Sequence, residues 1–134
     1  GYTKEEIKMI FETRKILNDT SLEVTATCVR VPVINSHSVE MHIELNNEFS
    51  IEDIKQLMKN KKGITLLDDP SKNIYPLATI ATGTNDVYVG RIRKDINNSK
   101  KLHLFCVADN IRKGAATNAV QIVEALIERN EYNG

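Results

Sequence analysis

The sequence predicts an α+β domain, in which a mixed β-sheet has helices packed on one face. Two observations support this: amphipathic segments with helical spacing stand at both ends of the chain, and several short segments between them have the apolar period of two that is typical of strands. With 134 residues, of which 41% are hydrophobic, the chain is long enough for one domain with a single core. We therefore expect one domain over residues 1–134.

The first 33 residues predict a helix followed by a strand. Thr3 and Glu6 form the pattern of a capping box, and apolar residues recur at helical spacing until Asn18-Asp19 ends the segment. A period of two then places one apolar face on a strand that becomes irregular around Pro32. That face comprises Leu22, Val24, Ala26 and Cys28.

Alternation and capping predict the next two elements. Residues 39–45 alternate apolar with polar side chains, as expected for a half-buried strand. Ser50 can cap a short helix whose first turn is acidic. The inner face of this helix is expected to comprise Ile51, Ile54, Leu57 and Met58.

The second half predicts three more strands and a final helix. Residues 64–67 form a brief strand, and the segment from Asp68 to Asn85 is rich in turn formers. Strands follow over 87–92 and 102–108, and the nearly continuous apolar character of 102–108 predicts a central position. The last helix is amphipathic over 115–127 and is expected to extend over about 113–131.

Charge and composition argue against several classes of partner. Lysine plus arginine equals aspartate plus glutamate, so no electrostatic attraction to nucleic acid or to an anionic membrane is expected. No apolar run approaches the roughly 20 residues of a membrane-spanning helix, and the N-terminus lacks the pattern of a signal peptide. We therefore expect a cytoplasmic protein. Cys28 and Cys106 lie within apolar runs and are expected to be buried, reduced thiols.

Arg30 and His37 are the first candidates for chemistry. Arg30 continues the apolar face of the first strand, and His37 leads the apolar row of the next. If the two strands are neighbours, both side chains lie at one end of the sheet, where they suit carboxylate binding and proton transfer. The alternative is that Arg30 pairs with a nearby carboxylate and His37 caps the turn.

Other polar groups give weaker signals. Glu5 and Lys8 stand three residues apart on the first helix and can form a solvated ion pair. Residues 109–116 join a strand to a helix with a small first turn, which suits either a ligand or close helix packing. Asp68-Asp69-Pro70 is interpreted as a turn, and no metal site is expected because no third ligand has suitable spacing.

Several catalytic signatures do not occur in this sequence. It has no Gly-rich dinucleotide loop or phosphate-binding loop, and no Gly-x-Ser-x-Gly motif. Neither cysteine has the electropositive surroundings of a nucleophile. The opening Gly-Tyr-Thr suggests an internal segment of a longer protein. By itself, the chain is expected to be inactive.

The motifs nevertheless resemble, in order and over nearly the whole chain, the C-terminal half of aspartate-semialdehyde dehydrogenases. Those that carry the resemblance are Tyr2 to Met9 with Glu12-Thr13, Ala26 to Val33, Ser36-His37-Ser38, Asp68-Asp69-Pro70, Tyr75-Pro76, Val89 to Arg93, and Asp109 to Ala116 with Asn118 to Ile122. The resemblance implies the NADPH-dependent reductive dephosphorylation of aspartyl-β-phosphate to aspartate β-semialdehyde, which feeds lysine, methionine and threonine synthesis. It also implies that the nucleophilic cysteine and most of the NADP site belong to an N-terminal half.

The resemblance also implies roles for individual residues. His37 would be the acid/base catalyst and Arg30 would bind the substrate α-carboxylate. Glu5 would contact the substrate amino group, Lys8 would help to hold the phosphate, and Asn110 would contact the nicotinamide part of NADP. Ser36 departs from the glycine that many members have before the histidine, so the local backbone is in question.

The resemblance finally implies a homodimer formed through the sheet, with an outer sheet face that is apolar when the domain is alone. The last helix would pack on the nucleotide-binding half through Ile122, Val123, Leu126 and Ile127. The alternative function is a free-standing dimerisation or small-molecule-sensing module without catalysis. Retention of Arg30, His37, Glu5 and Lys8 at matching spacing favours the enzyme.

Overall fold

The computed structural model describes residues 1–129 and divides the chain into two compact units, Gly1–Pro32 and Val33–Gly134. The predicted α+β class is confirmed, with a four-stranded mixed sheet and four helices. Within residues 1–129, no helix has both the length and the apolar character needed to cross a membrane.

The first unit begins with helix α1, Lys4–Ile16, as predicted. The Thr3 hydroxyl accepts a hydrogen bond from the Glu6 amide, and the Glu6 carboxylate accepts one from the Thr3 amide at 2.8 Å, which completes the capping box. Two otherwise unpaired amides are thereby satisfied at the start of the helix.

The strand predicted after α1 is wrong. Residues 22–31 have no regular secondary structure and make no sheet ladder. Their backbone is instead bonded to side chains: the Cys28 amide donates to Glu6 Oε1 at 2.9 Å, and Arg14 Nε donates to the Leu22 carbonyl at 2.8 Å. Alternation of apolar and polar residues indicates which side chains are partly buried, but a β-strand also needs a neighbouring strand to pair with. The described elements of the first unit include no such strand.

Glu6 is therefore the organising side chain of the first unit. It is buried, and hydrogen bonds from the backbone amides of Thr3 and Cys28 hold its pKa below the ordinary value. Cys28 itself is exposed, with its Sγ 3.6 Å from Met9 Sδ, so the expectation of a buried thiol at this position was wrong.

The second unit contains the sheet. Its elements are β1 (His37–Glu44), α2 (Ile51–Lys59), β2 (Ile64–Leu66), α3 (Ala78–Ala81), β3 (Val87–Lys94), β4 (Lys101–Ala108) and α4 (Thr117–Glu128). The strands lie in the order β1-β4-β3-β2, with β2 parallel to β3 and the other pairs antiparallel. The predicted central position of the 102–108 strand is confirmed, since β4 lies between β1 and β3.

One face of the sheet, here called the inner face, forms the core with α2. Alternation along the strands directs one set of apolar side chains to this face, where Ile51, Ile54 and Met58 of α2 pack on them. The fully buried members are Val89, Ile92, Leu102 and Leu104. Leu57 was expected on the same side of α2, but its side chain is exposed because its position on the helix turns it towards solvent.

The opposite face, here called the outer face, is less apolar than expected. Its central strands carry Tyr88, Phe105 and Val107, whereas β1 places Ser38, Glu40 and His42 there. The expectation of an apolar outer face is therefore wrong at the β1 edge, because the polar half of the alternating β1 sequence points to this side.

A segment between β2 and α3 crosses close to β3 at Gly90. A Cβ built on Gly90 overlaps the Leu67 carbonyl oxygen and stands 2.6 Å from Pro76 Cδ. The Leu67 amide donates to the Val89 carbonyl at 2.8 Å, which fixes the approach. Immediately beyond Gly90, β3 has a bulge, and Arg91 adopts φ +56° with its amide donating to Asp68 at 2.9 Å.

The final helix is shorter than expected. Residues 112–116 form a wide π-helical turn kinked at Ala115, and regular helix follows over Thr117–Glu128. The apolar residues Ile122, Val123, Leu126 and Ile127 are exposed. Residues 130 and 131 of the expected helix lie outside the described residues.

Candidate functional site

The structure distributes the five predicted site residues over both units. Glu5, Lys8 and Arg30 belong to the first, and His37 and Asn110 to the second. The two sets are described in turn.

In the first unit, Glu5 and Lys8 lie on the exposed surface of α1. Their side chains form the i,i+3 ion pair expected from their spacing, with Lys8 Nζ 3.4 Å from Glu5 Oε1. Both side chains are more than half exposed, so the pair contributes little to stability. Each charge therefore remains available to a ligand.

Arg30 lies in the irregular segment after α1 and is exposed. Its assignment to a strand face is wrong together with the strand itself. The alternative, an ion pair with a nearby carboxylate, is not found within the first unit, where no acidic side chain lies within salt-bridge distance of its guanidinium.

In the second unit, the sheet brings His37 and Asn110 to the same end. His37 is the first residue of β1 and stands opposite Ala108, the last residue of β4, and Asn110 follows two residues later. Alternation places His37 in the same row as Val39, Met41 and Ile43, on the inner face. His37 is exposed and Asn110 is half-buried, so both are open to a ligand at this sheet end.

Ser36 holds the backbone immediately before His37. It is buried and adopts φ +74°, the left-handed region that favours glycine. Its hydroxyl donates to the Ala78 carbonyl at 3.1 Å and lies 3.2 Å from Thr82 Oγ1. Ser36 therefore adopts the backbone conformation that glycine favours, and its hydroxyl makes hydrogen bonds to Ala78 of α3 and to Thr82, which follows α3. The backbone before His37 thus keeps a glycine-like conformation although serine stands in place of glycine.

We expect Ser36→Gly to be more stable than Ser36→Ala by about 1 kcal/mol, since both lose the hydroxyl and only alanine retains the left-handed strain. The Ala78 carbonyl also accepts from Thr82 Oγ1 at 2.8 Å, so neither change leaves it unpaired. Urea unfolding midpoints compare the two variants. Equal midpoints would show that the backbone conformation at residue 36 does not limit stability.

Asp109 organises the turn that carries Asn110, a role that the sequence analysis missed. Its carboxylate accepts hydrogen bonds from the amides of Gly83 at 2.8 Å, Ile111 at 2.9 Å and Arg112 at 3.1 Å. These bonds, Gly83 first, hold the pKa of Asp109 below its ordinary value. The available signal was an aspartate directly after an apolar strand, a position that commonly caps the following turn.

The remaining cysteine is unsuited to nucleophilic attack. Cys106 lies half-buried in β4, and burial raises its pKa to about 11. A thiol of this kind is almost entirely protonated near neutral pH. Cys106 was expected to be a buried, reduced thiol; it is a free cysteine, and it is half-buried rather than buried.

Comparison with known proteins identifies the family of the chain. Residues 1–113 match the model of the semialdehyde dehydrogenase dimerisation domain. Aspartate-semialdehyde dehydrogenase of Aquifex aeolicus is 51% identical over 128 residues, and that of Bacillus subtilis is 51% identical over 131 residues. These alignments cover 96% and 97% of this chain, which spans 38% of the length of each relative.

Solved structures agree with the sequence comparison. Aspartate semialdehyde dehydrogenase II of Vibrio cholerae, complexed with ASA, superimposes with a TM-score of 0.87 at 45% identity, covering 96% of this chain and 38% of that one. Aspartate semialdehyde dehydrogenase of Candida albicans with NADP gives 0.77 at 27% identity, covering 96% and 44%. The fold, the motifs and both comparisons together show that the chain belongs to the semialdehyde dehydrogenase dimerisation-domain family.

Proposed function

We propose that the chain forms the C-terminal, substrate-binding and dimerisation part of a cytoplasmic, NADP-dependent aspartate-semialdehyde dehydrogenase. The proposed reaction is the reductive dephosphorylation of aspartyl-β-phosphate to aspartate β-semialdehyde. The observation that carries the proposal is the exposed sheet end at which both His37 and Asn110 lie, in a chain of this family. The relatives named above support the choice of substrate and cofactor.

In this proposal His37 transfers the proton. Attack by a thiol on an acyl phosphate or an aldehyde needs a group that accepts a proton and later returns it, and imidazole does this near neutral pH. His37 is exposed at the start of a strand whose register with β4 is fixed, so the ring is both accessible and anchored. The nucleophilic cysteine would be supplied by the N-terminal part.

The charged residues of the first unit would bind the substrate. Arg30 would hold the α-carboxylate through its planar guanidinium, and Lys8 would help to hold the phosphate. Glu5 would contact the amino group, which requires the Glu5–Lys8 ion pair to open when substrate binds. Since that pair is exposed, opening it requires little free energy.

Asn110 would contact the nicotinamide part of NADP, which supplies hydride transfer when bound. Its amide can donate to the carboxamide oxygen and accept from its nitrogen. Most of the cofactor would be held by the N-terminal part. The exposed apolar residues of α4 would pack on that part, which explains why four aliphatic side chains face solvent in the isolated chain.

The family's designation as a dimerisation domain supports a homodimer through the sheet. The outer face offers the half-buried Tyr88 and Phe105 at its centre and polar residues at the β1 edge, which is the usual arrangement of an interface with an apolar centre and a polar rim.

Complementation tests the proposed function. The chain is mixed with the N-terminal half of a relative that supplies the cysteine and the nucleotide loop. Aspartate semialdehyde, phosphate and NADP⁺ are added, and the reduction of NADP⁺ to NADPH by the reverse reaction is followed. We expect each part alone to be inactive and the mixture to form NADPH. A verified, folded complex without activity would instead favour the non-catalytic dimerisation or sensing module.

A further inference from the structure

Three side chains converge on the outer face, away from the proposed catalytic end. Glu40 and His42 stand two apart on β1, and His103 on β4 lies directly opposite His42. Glu40 Oε1 is 2.6 Å from His42 Nε2 and 3.6 Å from His103 Nδ1, and the two imidazole rings have centroids 3.9 Å apart. One potential ligand atom from each residue lies within 4.8 Å of the others. These three residues are called the outer-face cluster.

Asp95 fixes the orientation of His103. Its carboxylate lies 2.9 Å from His103 Nε2. An ionised carboxylate only accepts hydrogen bonds, so Nε2 carries a proton, and in the neutral ring, the form that binds a metal, Nδ1 has the free lone pair. This is the arrangement in which a carboxylate orients a metal-binding histidine.

The Nδ1 atom of His103 is unpaired among residues 1–129. It is buried and makes no hydrogen bond with any of them, although it lies 3.6 Å from Glu40 Oε1. A buried acceptor left unpaired is unfavourable unless something binds it. Glu40 offers only lone pairs in its ionised form and cannot satisfy this nitrogen, whereas a cation between them would be bound by both.

The neighbouring cationic side chains do not lie between Glu40 and His103 Nδ1. Lys101 is directed to Glu44, with Nζ 3.5 Å from its carboxylate. Arg93 stands opposite His103 in the register, but its guanidinium donates to the Arg91 carbonyl at 2.8 Å.

We propose that Glu40, His42 and His103 bind a divalent transition-metal ion of the zinc type, with Asp95 as a positioning residue. Two imidazoles and one carboxylate form a ligand set that suits Zn²⁺ and leaves a fourth position open. Bonds of roughly 2.0–2.2 Å in a tetrahedron require ligand atoms about 3.3–3.6 Å apart. The observed separation of 3.6 Å between Glu40 and His103 is already close, and rotation of the exposed His42 lengthens the 2.6 Å contact.

Such a site would link β1 to β4. Among the strands of residues 1–129, β1 pairs with β4 alone, and the ion would join these two strands through residues 42 and 103. His37 lies in the row of the opposite face of β1, so the ion would take no part in the proposed proton transfer. The proposal rests on one copy of the chain and is independent of the proposed enzymatic function.

Metal titration of the 134-residue chain tests the site. After removal of metals with a chelator, Zn²⁺ is titrated by calorimetry, and Co²⁺ is titrated while its visible absorption reports tetrahedral coordination. A Cys28→Ser background removes the exposed thiol as a competing ligand. We expect one ion per chain and a melting temperature that rises with Zn²⁺ concentration.

Substitutions distinguish this cluster from adventitious binding. Glu40→Gln, His42→Asn and His103→Asn are each expected to weaken Zn²⁺ binding at least tenfold, and Asp95→Asn about 10- to 100-fold through loss of orientation. Glu44→Gln and His37→Asn are the matched controls and are expected to retain the parent affinity. If the three cluster variants bind Zn²⁺ as tightly as the controls, the assignment is overturned. His42 is exposed, so its variant remains informative even if His103→Asn impairs folding.

Discussion

In the complemented enzyme, His37→Asn is expected to lower kcat about 10²- to 10⁴-fold, the usual contribution of a positioned acid/base group. Asparagine keeps polar atoms near the ring position but cannot accept and return a proton near neutral pH. His37 is exposed at the start of β1, so its replacement leaves the core intact. NADPH formation at saturating aspartate semialdehyde and phosphate measures kcat, and the substrate KM is expected to change much less.

The matched control for this experiment is Ser38→Asn. It introduces the same side chain one residue along β1, on the outer face and away from the site. We expect its kcat to stay within about twofold of the parent, in line with the small effects of surface substitutions. If His37→Asn retains the parent kcat while melting normally, another group transfers the proton and the proposed role of His37 is wrong.

The sequence predicted most helices and strands because their signals are local. The Thr3–Glu6 capping box, the Ser50 cap and the alternation through β1 each depend on neighbouring residues only. Residues 22–28 were wrongly assigned to a strand because strand formation also depends on residues far away in the sequence. Apolar and polar residues do alternate in this segment, but a strand requires a pairing partner, and the pattern of one segment does not show whether a partner exists.

The site could be predicted only in part. His37 was singled out by its position at the head of an alternating strand, and Asn110 through the family resemblance. The register of β1 with β4 then brought them to one sheet end. Asp109 and Ser36, which hold the adjacent backbone, make contacts with residues 78–83, far from them in sequence. The outer-face cluster also depends on long-range contacts, since His42 and His103 are brought together by the register of β1 with β4. Long-range contacts of this kind have no local signature.

Gly90→Ala is expected to destabilise the domain by about 3 kcal/mol, because the added Cβ meets main chain rather than a movable side chain. The nearest atom is the carbonyl oxygen of Leu67, whose amide is bonded to Val89, so the segment cannot move away without breaking that bond. In a domain of this size the melting temperature would fall roughly 10 °C. Thermal melts and urea unfolding measure the loss.

Two further variants test the cause of this destabilisation. Gly114→Ala is the control, since its nearest heavy atom is 3.9 Å away, and we expect unchanged stability. Gly90→Ala with Pro76→Ala removes the side-chain contact but leaves the Leu67 oxygen, so it should be no more stable than Gly90→Ala alone. Rescue by the double change would place the clash at the proline ring. The chain that follows Pro76 supplies the partners of Ser36 and Asp109, so displacing it should also lower kcat in the complemented enzyme.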